Sequence, residues 1–202
     1  MAQINGTPGA DTLIGTQDND TITGGKGFDT IKGRGGDDLI RAGAGDDRLE
    51  GEAGNDALNG GYGRDLLLGG TGNDYLHGGD GKDNLAGGAG NDYLIGGAGE
   101  DKLNFVVNTT SAAGQDRFDF QPGEDTINFG DAFTWEMLDT NGSDTLDEGD
   151  EYVEVIPNAI SEELFIDLGA ALGLAAGEQT LTVSHFYPDQ ETAISREDVI
   201  FG

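Results

Sequence analysis

Aspartate returns at every ninth position along half of this chain: Asp11, Asp20, Asp29, Asp38, Asp47, Asp56, Asp65, Asp74, Asp83, Asp92 and Asp101. A carboxylate can act as general acid, general base, nucleophile or hard-metal ligand, so its surroundings decide which. Here the partners for catalysis are absent. The chain has two histidines, His77 and His185, no cysteine, and neither an HExxH nor a G-x-S-x-G motif. His77 falls on an outward position of its repeat, and His185 stands beside Phe186 and Tyr187 at a strand end. Carboxylate pairs are too numerous for any one to be nominated as a glycosidase dyad. The chemistry left to eleven carboxylates in one phase is the binding of cations.

The elements that position them are as regular as the acids. From Gly6 to Asn104 the chain reads as eleven nonapeptides without a gap, such as GGTGNDYLH and GGAGNDYLI. The sixth residue is always Asp and the eighth always Leu or Ile; the first is Gly except Ala42, the fourth Gly except Asp18. One obligatory aliphatic makes a very short strand, with position 8 inward and positions 7 and 9 outward. The glycine-rich residues before it must turn, several with φ > 0. Two units then form one coil, and turns of alternate repeats stack about 4.8 Å apart in two columns. Carboxylates that close repel one another, and a core of one aliphatic per repeat is small. A hard divalent cation between successive turns removes the repulsion. Oxygen-only ligands, six or more of them, suit Ca²⁺ better than zinc or magnesium, so the cation belongs to the folding reaction.

These nonapeptides resemble the G-G-x-G-x-D-x-U-x repeat of the RTX (repeats-in-toxin, haemolysin-type) calcium-binding family. The resemblance covers about half the chain and implies an all-β fold, a parallel β-helix or β-roll. It also implies ligand roles. One turn supplies the carbonyls of positions 1 and 3 with its Asp, and the turn below supplies those of positions 2 and 4 with its Asp. The eleven aspartates above are then ligands. So are the first glycines Gly60, Gly69, Gly78, Gly87 and Gly96, the second Gly61, Gly70, Gly79, Gly88 and Gly97, and the fourth Gly63, Gly72, Gly81, Gly90 and Gly99. Up to nine calcium ions fit between eleven turns in two columns.

Charge narrows the partners further. The 202 residues carry 39 acids against 10 bases, a net charge of −29. That excess argues against nucleic acid and against anionic membrane surfaces. No run of about 18 apolar residues is present, so no membrane insertion is expected. The N-terminal Met-Ala-Gln-Ile-Asn-Gly has neither the basic region nor the apolar stretch of a secretory signal peptide. Without cysteine there is no disulfide framework and no thiolate zinc site.

Composition changes near residue 104: residues 1–104 hold 28 of the 37 glycines. Residues 105–202 read as a β-rich region, with strands at Phe105–Val107, Arg117–Phe120, Thr126–Phe129, Tyr152–Ile156, Leu164–Leu168, Thr180–Ser184 and Asp198–Phe201. A short helix is expected at Phe133–Leu138. Asp139 to Asp150 resembles an EF-hand-type calcium loop, with oxygen side chains at Asp139, Asn141, Ser143, Asp147 and Asp150. It departs from the pattern in the weaker ligand Ser143, in Asp144 where glycine is usual, and in Asp150 where a bidentate Glu is usual. An acidic solvated turn is the other reading. Asp116–Phe129 and the ending Glu197–Gly202 resemble segments that close RTX proteins. In that family an acid followed by apolar residues, here Asp198 to Phe201, is read by a type I secretion apparatus.

The expectation is a secreted, extracellular, non-catalytic calcium-binding protein of a Gram-negative-type bacterium, folded by Ca²⁺ after export. The alternatives are an adhesion or polysaccharide-contact module and a small secreted enzyme with its site in 105–202. Thr7, Thr16, Arg34 and Glu52 replace the second glycine of their repeats, which marks the N-terminal coils as the first to fray. Tyr75, Tyr93 and Ile95 make an outward apolar patch, on which the C-terminal half is expected to dock through Leu103–Val107.

Overall fold

A computed structural model describes residues 1–105, 114–119 and 125–129, and the strand segments 145–146, 153–157, 162–167, 179–185, 194–195 and 199–200. The repeats give β1 Gln3–Asn5, β2 Thr12–Ile14, β3 Thr21–Lys26, β4 Thr30–Gly35, β5 Leu39–Ala44 and β6 Arg48–Ala53. They continue as β7 Ala57–Gly63, β8 Leu66–Thr71, β9 Tyr75–Gly81, β10 Asn84–Ala89, β11 Tyr93–Ala98 and β12 Lys102–Asn104. Beyond them lie β13 Gly114–Asp119, β14 Thr126–Asn128, β15 Thr145–Leu146, β16 Val153–Pro157, β17 Glu162–Asp167, β18 Gln179–His185, β19 Ile194–Ser195 and β20 Val199–Ile200. Every described element is a strand, and among the described residues no helix is long and apolar enough to cross a membrane.

From β1 to β14 odd strands stack on odd and even on even, so this part winds as a parallel β-roll of about six coils. Register is one full coil per rung: Tyr75 pairs with Tyr93 and Leu67 with Leu85. Two sheets face each other across a core one side chain deep. Ile22, Ile31, Ile40, Leu49, Leu58, Leu67, Leu76, Leu85, Leu94 and Leu103 fill it, each at most 1% exposed. The period of two along a strand puts the first residue of the next repeat on the same inward face. That position must be small, and Ala42, wholly buried, carries its only methyl. On the outer edge of one column a second ladder forms. The Asn55 side-chain oxygen accepts the Asn73 N–H at 2.8 Å, and Asn73 does the same for Asn91.

The sheets run on past the composition change. β13 adds to β11 and β14 to β12, both parallel, while β18, β17 and β16 extend the first sheet and β20 the second. Phe118 and Ile127 continue the two aliphatic columns and are buried. The described strands β13, β14, β16, β17, β18 and β20 therefore join the roll edge-on. Leu103 and Phe105, expected to reach back across the tyrosine patch, point into the core. Tyr75 and Tyr93 are lateral neighbours, 5.5 Å apart edge to face, and the Arg117 guanidinium lies 5.6 Å over the Tyr93 ring. A cation over a ring face adds about 0.5–1 kcal/mol where it is exposed.

Two residues sit in backbone that favours glycine: Arg34 at φ 83° and Glu52 at φ 74°. A side chain in that region costs about 1 kcal/mol. Arg34→Gly and Glu52→Gly are each expected to stabilise the calcium-loaded roll by about that much. Thermal unfolding in saturating calcium checks it.

Candidate metal centre

Each repeat aspartate from Asp20 to Asp101 is at most 3% exposed. One carboxylate oxygen of each has a structural task. The Asp56 N–H donates to Asp74 Oδ1 at 2.8 Å, and Asp65 N–H to Asp83 Oδ1 at 2.8 Å. The same bond recurs from Asp11 N–H on Asp29 Oδ1 to Asp101 N–H on Asp125 Oδ1, between 2.7 and 3.1 Å. The carboxylates thus clip successive coils together. Asp116 and Asp125 extend this ladder beyond the repeats, and reading the nonapeptide alone missed them. The signal was the surviving D-x-U-x core in Asp116-Arg117-Phe118-Asp119 and Asp125-Thr126-Ile127-Asn128, stripped of its glycine turn.

The second oxygen has no such task. Oδ2 of Asp29, Asp38, Asp47, Asp56, Asp65, Asp74, Asp83 and Asp92 is buried and accepts no hydrogen bond. A buried carboxylate oxygen without a donor is costly, so something else must satisfy it. Backbone carbonyls crowd the same gap. A Cβ placed on Gly78 would collide with Asp83 Oδ2 of its own turn and with the Gly96 carbonyl of the next. A Cβ on Gly79 would meet the Gly61 carbonyl, and one on Gly81 the Gly63 carbonyl. The carbonyls of positions 2 and 4 therefore face the next turn and that of position 1 faces back. Gly79 and Gly81, at φ 119° and 158°, hold the turn open for this. All the groups in the gap are acceptors. Only a cation satisfies such a set, and a hard one with many oxygen ligands fits it best. Among the described residues no three acidic or histidine side chains meet as a metal cluster, so carbonyls must make up the ligand number.

Without that charge the acids resist ionising. Burial first, then the neighbouring carboxylates, raises Asp56 to about 6 and Asp65 and Asp74 to about 7. Asp83 and Asp92 rise to about 6, and Asp116 to about 8, again chiefly through burial.

The family model described as RTX calcium-binding nonapeptide repeat (4 copies) matches in overlapping blocks from residue 5 to residue 105, half of the chain. The chain belongs to the RTX calcium-binding repeat family. RTX nonapeptide repeats bind calcium. No curated protein sequence matches the chain. Among solved structures it is similar to the AlgE6R3 subunit of the Azotobacter vinelandii mannuronan C5-epimerase, at 22% identity and TM-score 0.30, over 96% of this chain and 80% of that one. It is also similar to the extracellular lipase LipA from Serratia marcescens, at 17% identity and TM-score 0.34, over 95% of this chain. The RTX chain spans 40% of that lipase.

The repeat aspartates and the glycines of positions 1, 2 and 4 thus come together in the gaps between coils. Asp139, Asn141, Ser143, Asp147 and Asp150 lie outside the described residues, as do the helix expected at Phe133–Leu138 and the terminal Phe201 and Gly202. Within the expected loop only Thr145–Leu146 is described, as a strand antiparallel to Ile194–Ser195.

Proposed function

We propose that this RTX protein is a secreted, non-catalytic calcium-binding roll that folds when Ca²⁺ fills the gaps between its coils. The observation that carries the reading is the row of buried Asp Oδ2 atoms without a donor, with the position-1 carbonyl of the next turn close to those of Asp29, Asp38, Asp56, Asp65, Asp74 and Asp83. Calcium supplies the positive charge that those oxygens share. Aspartates and carbonyls of positions 1, 2 and 4 hold it, the Oδ1 ladder fixes the spacing of the coils, and the single-file aliphatics exclude water from their base. Residues 6–104 form the calcium-binding part and 105–202 the β-rich cap, whose last residues would engage a type I secretion apparatus. Weak sites, about 10⁻⁴–10⁻³ M as in extracellular modules, leave the chain open where calcium is scarce and fold it outside the cell. Far-UV circular dichroism during calcium titration, with bound ions counted in parallel, tests this. At pH 7.5 strand signal is expected to appear only as calcium binds, and full strand signal in excess chelator at that pH overturns it.

A further inference from the structure

The first two turns are built differently from the other nine. From repeat three to repeat eleven the residues at positions 2 and 4 all have positive φ, Arg34 and Glu52 included. Thr7, Gly9, Thr16 and Asp18, the same positions of repeats one and two, do not. There the turn closes on its own aspartate instead. The Thr7 N–H donates to Asp11 Oδ2 at 2.6 Å and its hydroxyl at 3.0 Å; Thr16 does the same to Asp20 Oδ2 at 2.6 and 2.8 Å. These are the oxygens left without a donor in the repeat aspartates from Asp29 to Asp92. The fourth-position carbonyl changes with the turn. A Cβ on Gly36 would meet the Asn19 N–H side of the peptide below, whereas one on Gly54 would meet the Gly36 carbonyl oxygen.

We infer that Thr7 and Thr16 close the first coil as a cap that takes no calcium, leaving seven of the nine gaps for ions. The inference rests on the calcium reading above. Its logic is a choice between two turn states. Either position 2 turns its N–H and hydroxyl onto the carboxylate, or it takes positive φ and the position-4 carbonyl turns to the gap. A β-branched residue resists positive φ, and a hydroxyl rewards the closed state. Arg34 and Glu52 also lack the freedom of glycine, yet they have no hydroxyl to donate, and their turns are open. The hydroxyl, not the missing glycine, separates the two classes. The cap also suits its place. Ile4 and Leu13 are only half-buried, so the first coil has little core of its own, and internal hydrogen bonds order it without a cation.

The test counts bound calcium on the full chain by equilibrium dialysis. Asp11→Asn and Asp20→Asn are expected to bind as many ions as the unaltered chain, because an amide oxygen still accepts from the threonine. Asp65→Asn is expected to bind at least one fewer. In the opposite direction, Arg34→Thr, at a position that already carries a side chain in an open turn, should close that turn and lose one ion, while Arg34→Lys should keep it. A loss of one ion in Asp11→Asn or Asp20→Asn overturns the cap, as does an unchanged count in Arg34→Thr. An unaltered chain that binds no calcium overturns the proposed function itself.

Discussion

Acid is expected to fold the chain that calcium has left. In excess chelator at pH 7.5 the far-UV strand signal should be absent, and at pH 5 much of it should return. An aspartate in the open chain titrates near its usual 3.8, whereas in the ion-free roll Asp56, Asp65, Asp74, Asp83 and Asp92 are raised to between about 6 and 7, and Asp116 to about 8. Burial is the first cause, and repulsion along the column adds to it. The folded state therefore binds more protons than the unfolded one over that interval. Its stability is fully present below the unfolded value of 3.8 and is lost as pH rises through about 6 to 8. Calcium reverses the slope, because its ligands must be ionised and protons compete with it. Asp74→Asn gives an internal check: it should favour the ion-free roll at pH 7.5 and weaken the calcium-loaded one. A chelated chain equally unfolded at pH 5 and pH 7.5 would count against the raised carboxyls.

Leu76→Ala is expected to cost about 2–5 kcal/mol in saturating calcium, while Leu13→Ala should cost well under half of that. Leu76 is fully buried and is the single aliphatic of its rung, with Leu58 below and Leu94 above held in register by β7, β9 and β11. The hydrogen-bonded coils cannot collapse into the space, so the cavity stays. Leu13 is half-buried in the first rung, where water already reaches it. Calcium-dependent thermal unfolding checks the pair, and equal losses would mean that the core is not one residue deep.

Much of this was legible in the residues. A period of nine with Asp at six and Leu or Ile at eight allows one inward aliphatic, a turn, and stacked carboxylates, because strand alternation leaves no other use for that spacing. All-β character, the two columns and the inward face follow from composition and phase, and so does the expectation of a cation. Local sequence could not say how the carboxylate divides its two oxygens. That depends on the Asp N–H of the adjoining coil, eighteen residues away, which claims Oδ1 and leaves Oδ2 to the gap.

The end of the ladders was also hidden. Asp116 and Asp125 enter through partners twenty-four residues back, across a stretch with no repeat spacing, so no period announces them. Nor did the missing second glycine of repeats one, two, four and six distinguish their turns. Backbone preference alone treats Thr16 and Arg34 as equal departures. Only the folded turn places the Thr16 hydroxyl within reach of Asp20, four residues on, and lets Arg34 stay open under Glu52. Periodicity sets which face a side chain takes; which oxygen meets which donor is decided where separate coils touch.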